Sequence, residues 1–227
     1  METGNRAFLI LFDMDGVILD SAAAITGSLR FALEQNGQVG FAEVNLTEFV
    51  GPPLSVMIDA LLPDSSHELR QQCAVDYRTH NNLNGPSLTT VYLGIREVLI
   101  ELAKKFELRV ATSKLESAAE LVLKAKALDH LFKGIHGSSP DGADSKTDVM
   151  NRALEAAKKT NPTVAPLAMI GDRKHDIEGA KNLGIESIGV NWGYAPDGEL
   201  EGAGANHLVS SPQQMLSLIW QLADKNN

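Results

Sequence analysis

Six apolar residues, Ala7 to Phe12, run without a break before the chain meets Asp13 and Asp15. Similar short runs recur at Leu108–Thr112, Leu167–Ile170 and Ile185–Val190. Apolar runs of this length, bounded by polar residues or glycine, predict buried strands. Between them the apolar period changes to that of helices. Ile95, Val98, Leu99 and Leu102 share one face, as do Ala118, Leu121, Val122 and Ala125, and as do Val149, Met150, Ala153, Leu154 and Ala157. Asn206–Val209 extends the series by one strand, and Pro212 opens a C-terminal helix. Strands alternating with helices predict an α/β fold, a doubly wound parallel sheet of Rossmann-like type with helices on both faces.

The stretch 17–86 breaks this alternation. It carries helical signals and no strand pattern. Ser21 is positioned to cap a helix with Ile25, Leu29, Ala32 and Leu33 on its apolar face, ending at Gly37. A second amphipathic helix is predicted from Ser66 to about Asn81, and Gly51-Pro52-Pro53-Leu54 interrupts the chain between helices. The expected organisation is a core domain of residues 1–16 and 87–227, with a helical cap domain of residues 17–86 inserted after the first strand. Its crossings are expected near Gly16–Leu19 and Asn84–Ser87, with Gly85 as a permissive backbone position.

Composition narrows the partners. The chain has 227 residues, 44% of them hydrophobic and 22% charged, and a formal net charge of −9. That charge, with no basic block, disfavours a nucleic acid polymer or an anionic membrane as partner. It also means that an anionic substrate needs a local cation to reverse the field. The single cysteine, Cys73, excludes an intrachain disulfide and a thiolate metal cluster. No run approaches the roughly 18 apolar residues of a membrane helix, and the six before Asp13 follow no basic segment and are too short for a signal peptide. The expectation is a cytoplasmic monomer or weak dimer.

Ligands of open parallel sheets bind beyond the carboxyl ends of the strands, and polar residues gather at four such places. Asp13 and Asp15 follow the first strand. As turn residues ahead of Gly16 they need no further role. As a functional pair they divide the work of phosphoryl transfer, Asp13 as nucleophile and Asp15 as the group that protonates the leaving oxygen and later activates water. Asp172 follows a buried run and Gly171, and Asp176 falls in the next first helical turn, where it can serve the helix dipole. Asp13, Asp172 and Asp176 together are hard oxygen ligands suited to Mg²⁺. Thr112 offers a hydroxyl and Ser113 a backbone N–H to a phosphate oxygen. Lys146 stands between Ser145 and Asp148 in a capping pattern; alone it reads as a solvated charge, but so many carboxylates need a fixed cation.

Taken together, FDMDGVILDS, RVATSK, Lys146 and MIGDRKHDIEGAKNLGI resemble the haloacid dehalogenase superfamily, in its phosphatase branch with a helical cap inserted after the first strand. The resemblance spans nearly the whole chain, with four motifs in order. It implies that Asp13 attacks phosphorus in line, and that Asp15 is the general acid and base and offers its backbone carbonyl to Mg²⁺. It implies that Thr112 binds the phosphoryl group, that Lys146 stabilises charge on nucleophile and phosphate, that Asp172 ligates the metal, and that Asp176 holds the metal or its waters. The substrate would be a small phosphorylated metabolite. GPPL, TSK and WGY (Trp192 to Tyr194) look most like phosphoglycolate phosphatase-type sequences and a nearby 5′-nucleotidase-like group. Thr147 stands where the former often carry proline.

Other branches fit less well. Dehalogenases typically lack the second aspartate, and the phosphonoacetaldehyde-cleaving branch needs a cap lysine, whereas the first lysine of this chain is Lys104. Sugar-phosphate mutases share the cap and both aspartates. A non-catalytic module holding Mg²⁺ and phosphate is the alternative from a different functional class.

Overall fold

The computed structural model describes residues 7–41, 43–139 and 144–226. In chain order its elements are β1 (Phe8–Phe12), β2 (Leu19–Asp20), α1 (Ala22–Gln35), α2 (Leu54–Leu61), α3 (His67–Leu88), β3 (Thr90–Val91), α4 (Ile95–Ala103) and β4 (Glu107–Leu115). There follow α5 (Glu116–Ala125), β5 (Gly134–Ser138), α6 (Lys146–Thr160), β6 (Ala165–Gly171), α7 (Lys174–Asn182), β7 (Glu186–Val190), α8 (Glu199–Ala203), β8 (His207–Val209) and α9 (Pro212–Asn226). Six strands form one parallel sheet in the order β5-β4-β1-β6-β7-β8. Helices cover both faces, which gives the α/β architecture that the sequence pattern predicts.

The strand period of two distributes β1 between two cores. Ile10 and Phe12 pack with Ile95 and Leu99 of α4, Val122 of α5 and Ile219 of α9. Leu9 and Leu11 face the other way, onto Val149, Met150 and Ala153 of α6 and Ala180 of α7. Because β1 is buried on both faces, its whole run is apolar. On α5 the buried residues are Ala119, Val122 and Leu123, and Leu121 is 42% exposed. The buried face is therefore rotated from the one expected, because the helix starts at Glu116, straight off β4, and is aimed by that junction.

Strand β5 has no counterpart in the sequence reading. It reads Gly-Ile-His-Gly-Ser, lies at the sheet edge, and is fully buried only at Gly137 and Ser138. Strand β4 also continues past the expected end at Thr112. Ala111 pairs with His136 and Leu115 with Ser138, so four steps on β4 oppose two on β5. Thr112, Ser113 and Lys114 therefore bulge out of the ladder, and a bulge re-aims the side chains it carries. Gly137 makes this possible. A Cβ there would lie 2.5 Å from the Glu116 backbone and 2.6 Å from the Lys114 carbonyl oxygen.

Helices α1–α3 form the helical insert, with their own core around Ile25, Leu29, Leu33, Met57, Ile58 and Tyr77. Helix α3 runs to Leu88 with Pro86 inside it, so the crossing expected over Asn84–Ser87 lies within the helix. Gly85 is part of that helix and packs against the Asn81 side chain, so close approach explains the glycine better than a hinge does. The chain passes between core and insert through a short antiparallel ribbon, in which Leu19 pairs with Val91 and Asp20 with Thr90.

Candidate active site

Strand β1 sits at the point where strand order reverses, with β4 on one side and β6 on the other, and the carboxyl ends of these three strands supply the site. Asp13 continues β1 and donates its N–H to the Ile170 carbonyl at 2.8 Å. The next residues close a tight turn, with the Leu19 N–H on Met14 and the Gly16 N–H on Leu19. Gly16 has φ +85°, and a Cβ on it would fall 2.0 Å from Asp172 Oδ2. Only glycine permits this turn so close to a carboxylate.

Asp13, Asp172 and Asp176 are all buried, and each offers a carboxylate oxygen within 4.8 Å of the others. Lys146 Nζ lies between two of them, 2.8 Å from Asp13 Oδ1 and 2.7 Å from Asp176 Oδ1, with its side chain 4% exposed. It is the first residue of α6. Ser145 and Asp148 cap that helix reciprocally, so the capping pattern holds Lys146 at the helix start while burial directs its ammonium to the cluster. The solvated-charge reading of Lys146 is thereby set aside.

Burial pushes the Asp13 carboxyl up to about 7; Lys146 pulls against this, and Asp176 adds to it. Burial also raises Asp172, helped by the negative charges of Asp13 and Asp176. Burial works against the charge on Lys146, but Asp13 and Asp176 outweigh it and hold the lysine above its ordinary value. One ammonium among three carboxylates leaves an excess of negative charge. Asp172 Oδ2 accepts the Tyr194 N–H at 2.8 Å, while Asp172 Oδ1 is buried with no hydrogen-bond donor among the described residues. A compact, all-oxygen donor set with one unsatisfied oxygen fits a hard divalent cation.

Asp15 faces a different set of groups. Its Oδ1 accepts the Ser21 hydroxyl at 2.6 Å, and its Oδ2 lies 3.1 Å from Lys114 Nζ. Ser21 precedes α1, but its side chain makes no cap bond and serves Asp15 instead. Burial works against the charge on Lys114, yet Asp15 overrides it and the lysine is held above its ordinary value. Thr112 is buried in the β4 bulge, where its Oγ1 accepts the Lys114 N–H at 3.3 Å. Asp13, Asp15, Thr112, Ser113 and Lys114 line one pocket, closed on its other side by residues of the helical insert. Lys146, Asp172 and Asp176 stand behind Asp13.

Several residues at the site carry no role in the sequence reading. Lys114 ends the TSK tripeptide, but its pairing with Asp15 depends on a bulge. Tyr194 of WGY ties Asp172 to the start of the insert: its hydroxyl accepts the Ser21 and Ala22 N–H groups and donates to Asp20. Trp192 Nε1 donates to the Val17 carbonyl at 3.2 Å. Arg173, next to Asp172, pairs with Glu199 at 2.8 Å and donates to the Val50 carbonyl of the insert. The only signal for Tyr194 was its motif; nothing local announces Arg173.

Known proteins resemble the chain over this whole arrangement. Tyrosine-protein kinase PtkA of Mycobacterium tuberculosis is 35% identical over 193 residues, which are 84% of this chain and 64% of that protein. The chain thus spans less than two thirds of that relative's length. A 5′-nucleotidase of Pseudomonas aeruginosa is 34% identical over 200 residues, covering 87% of this chain and 89% of the relative. The crystal structure of a predicted phosphatase from Clostridium acetobutylicum superposes with a TM-score of 0.86 at 33% identity, over 95% of this chain and 99% of that one. Residues 10–190 match the family model described as haloacid dehalogenase-like hydrolase. The chain belongs to the haloacid dehalogenase-like hydrolase family.

Proposed function

We propose that the protein hydrolyses a small phosphate monoester through an aspartyl-phosphate on Asp13, with Mg²⁺ as cofactor. The observation that carries this reading is the buried cluster of Asp13, Asp172 and Asp176 around Lys146, at the carboxyl end of the central strand. A carboxylate beside a fixed ammonium, at the mouth of a pocket, is placed to meet a phosphoryl group.

Asp13, Asp172 and Asp176 would hold the metal with their side chains, and Asp15 with its backbone carbonyl. Bound there, Mg²⁺ supplies positive charge to the phosphoryl oxygens and offsets repulsion among the carboxylates. In the first step an Asp13 oxygen forms a bond to phosphorus while the ester P–O bond breaks, and the leaving oxygen takes a proton from Asp15. In the second step Asp15 takes a proton from water, the water oxygen bonds to phosphorus, and the Asp13–phosphorus bond breaks to release inorganic phosphate. Thr112 and the Ser113 N–H bind phosphoryl oxygens, and Lys146 holds Asp13 in place and balances charge. Ser21 and Lys114 orient Asp15 through the contacts already described.

The motifs point first to phosphoglycolate-type esters. The second reading, a nucleoside monophosphate, is favoured by the 5′-nucleotidase relative. Both readings share one test. Asp13→Asn keeps the side-chain shape and removes the nucleophile, so phosphate release from p-nitrophenyl phosphate should fall by orders of magnitude while the far-UV spectrum is unchanged. Wild-type turnover in that variant, or full activity in excess chelator, would overturn the proposal.

A further inference from the structure

The motif Trp192-Gly193-Tyr194 has no task in the phosphoryl chemistry, yet its segment is pressed into the site. The Tyr194 N–H donates to Asp172 Oδ2 at 2.8 Å, and a Cβ on Gly193 would fall 2.3 Å from the Asp172 Cβ. Trp192 Nε1 holds the Val17 carbonyl in the turn that follows Asp15. The Tyr194 side chain reaches on to the start of α1. Its O–H donates to Asp20 Oδ1 at 3.0 Å, and its oxygen accepts the N–H of Ser21 at 2.8 Å and of Ala22 at 3.0 Å. Those contacts use the donor and both lone pairs of the hydroxyl.

The same contacts decide where the Ser21 hydroxyl points. Ser21 stands at the N-cap of α1, where serine ordinarily has extended backbone and turns its oxygen toward the first helical N–H groups. Here φ is −114° and ψ is 8°, and the side chain makes no cap bond. The Tyr194 oxygen, bound to two consecutive N–H groups, fixes Ser21 in that conformation. The buried Ser21 Oγ then donates to Asp15 Oδ1 at 2.6 Å. Lys114 takes the other carboxyl oxygen, so Asp15 is held from two sides.

We propose that Tyr194 is a positioning residue for Asp15, acting through the backbone and hydroxyl of Ser21. The proposal rests on the phosphomonoester reading, in which Asp15 passes a proton to the leaving oxygen. One loop then sets two parts of the site: its main chain holds Asp172, and its tyrosine aims the acid. A misplaced acid slows the step that needs its proton. A plain staple for the N-terminus of α1 would use the same Tyr194 bonds but would be indifferent to what leaves.

Tyr194→Phe removes the hydroxyl alone and keeps the N–H on Asp172. p-Nitrophenolate departs without a proton, whereas an alkoxide needs one. In the variant, kcat/KM for the alkyl esters 2-phosphoglycolate and adenosine 5′-monophosphate should fall about 10-fold to 100-fold, with little change for p-nitrophenyl phosphate. Ser21→Ala keeps both N–H bonds to Tyr194 and should show the same split. Adding Tyr194→Phe to it should then cost little more on the alkyl esters. An equal loss on every ester, or penalties that multiply in the double variant, overturns the proposal. If Tyr194→Phe does not fold, Asp20→Ala, which frees the Tyr194 hydroxyl to rotate, should show a smaller split of the same sign; no split there overturns the proposal as well. Urea denaturation separates this proposal from the phosphatase reading. If no ester is turned over, that reading fails, yet Ser21→Ala should still cost less stability in the Tyr194→Phe background than in the wild type, because the serine is already misaimed. Equal costs overturn the link between Tyr194 and Asp15.

Discussion

Arg173→Met removes the guanidinium that joins three parts of the molecule while keeping much of the apolar stem. The Arg173 and Glu199 side chains are 9% and 14% exposed. Their contact is two-pronged, Nε to Oε1 at 2.8 Å and Nη2 to Oε2 at 3.3 Å, and Arg173 also donates to the Val50 carbonyl. The substitution leaves Glu199 largely buried, with the Lys174 N–H at 3.0 Å as its remaining donor. Breaking a buried pair from one side is destabilising by about 3 kcal/mol at the low end of the usual range. For a protein of this size that is a fall in Tm of about 6–12 °C. Urea denaturation of Arg173→Met, Glu199→Leu and the double variant measures it. The double variant should be more stable than the two single losses added together, because it strands neither charge. A single-variant loss below about 1 kcal/mol, or strict additivity, would refute the view that this pair is desolvated and tightly coupled.

Two further outcomes follow from charge balance. Lys146→Met leaves Asp13, Asp172 and Asp176 with no ammonium between them, so stability in EDTA should fall by about 3–5 kcal/mol. Saturating Mg²⁺ should then raise Tm by more in the variant than in the wild type; equal increments in a thermal melt would contradict the shared-charge account. At the far end of β5, hydrogen bonds from Arg152 and Ser139 hold the Asp144 carboxyl below its ordinary 3.8. A depressed folded-state value means that the contribution is complete above pH 3.8 and is lost as pH falls through the lower folded value. Arg152→Met should therefore flatten the acid limb of the urea midpoint measured from pH 5 to pH 2, and an unchanged limb would show the pair to be inert.

Much of this molecule is legible in its sequence because the physics is local. A strand buried on both faces must be apolar throughout, so β1 and β6 declare themselves, and the aspartates after them stand out against that background. What escaped depends on distant partners. Strand β5 is short, contains two glycines, and gains its pairing from β4 rather than from its own propensity. Helix α3 continues through Gly85 and Pro86, which punctuate a sequence but here sit in a helix held against the rest of the insert. Ser21 has the composition of a cap and spends its hydroxyl on Asp15, because the ribbon brings the two together. Lys146 could be suspected as the needed cation, yet its burial between two carboxylates is a tertiary fact. Lys114 reaches Asp15 from a bulge that only the pairing of β4 with β5 reveals.

That ribbon of Leu19–Asp20 against Thr90–Val91 has a consequence for how the protein can be rebuilt. Paired antiparallel strands hold facing Cα atoms about 5 Å apart, so the chain leaves the sheet and returns to it at one doorway. Seen from the sheet, everything beyond the doorway is a single closed loop. The entropy of closing such a loop changes by only about 0.6 kcal/mol for each doubling of its length. A four-residue turn and the native segment are about four doublings apart, roughly 2.5 kcal/mol, so guests of very different length are tolerated in loop entropy, while each replacement gives up the Ser21–Asp15 and Arg173–Val50 contacts. The helical segment is a transplantable part, and a graft cut at Asp20 and Thr90 leaves every carboxylate of the Lys146 cluster on its own side of the cut.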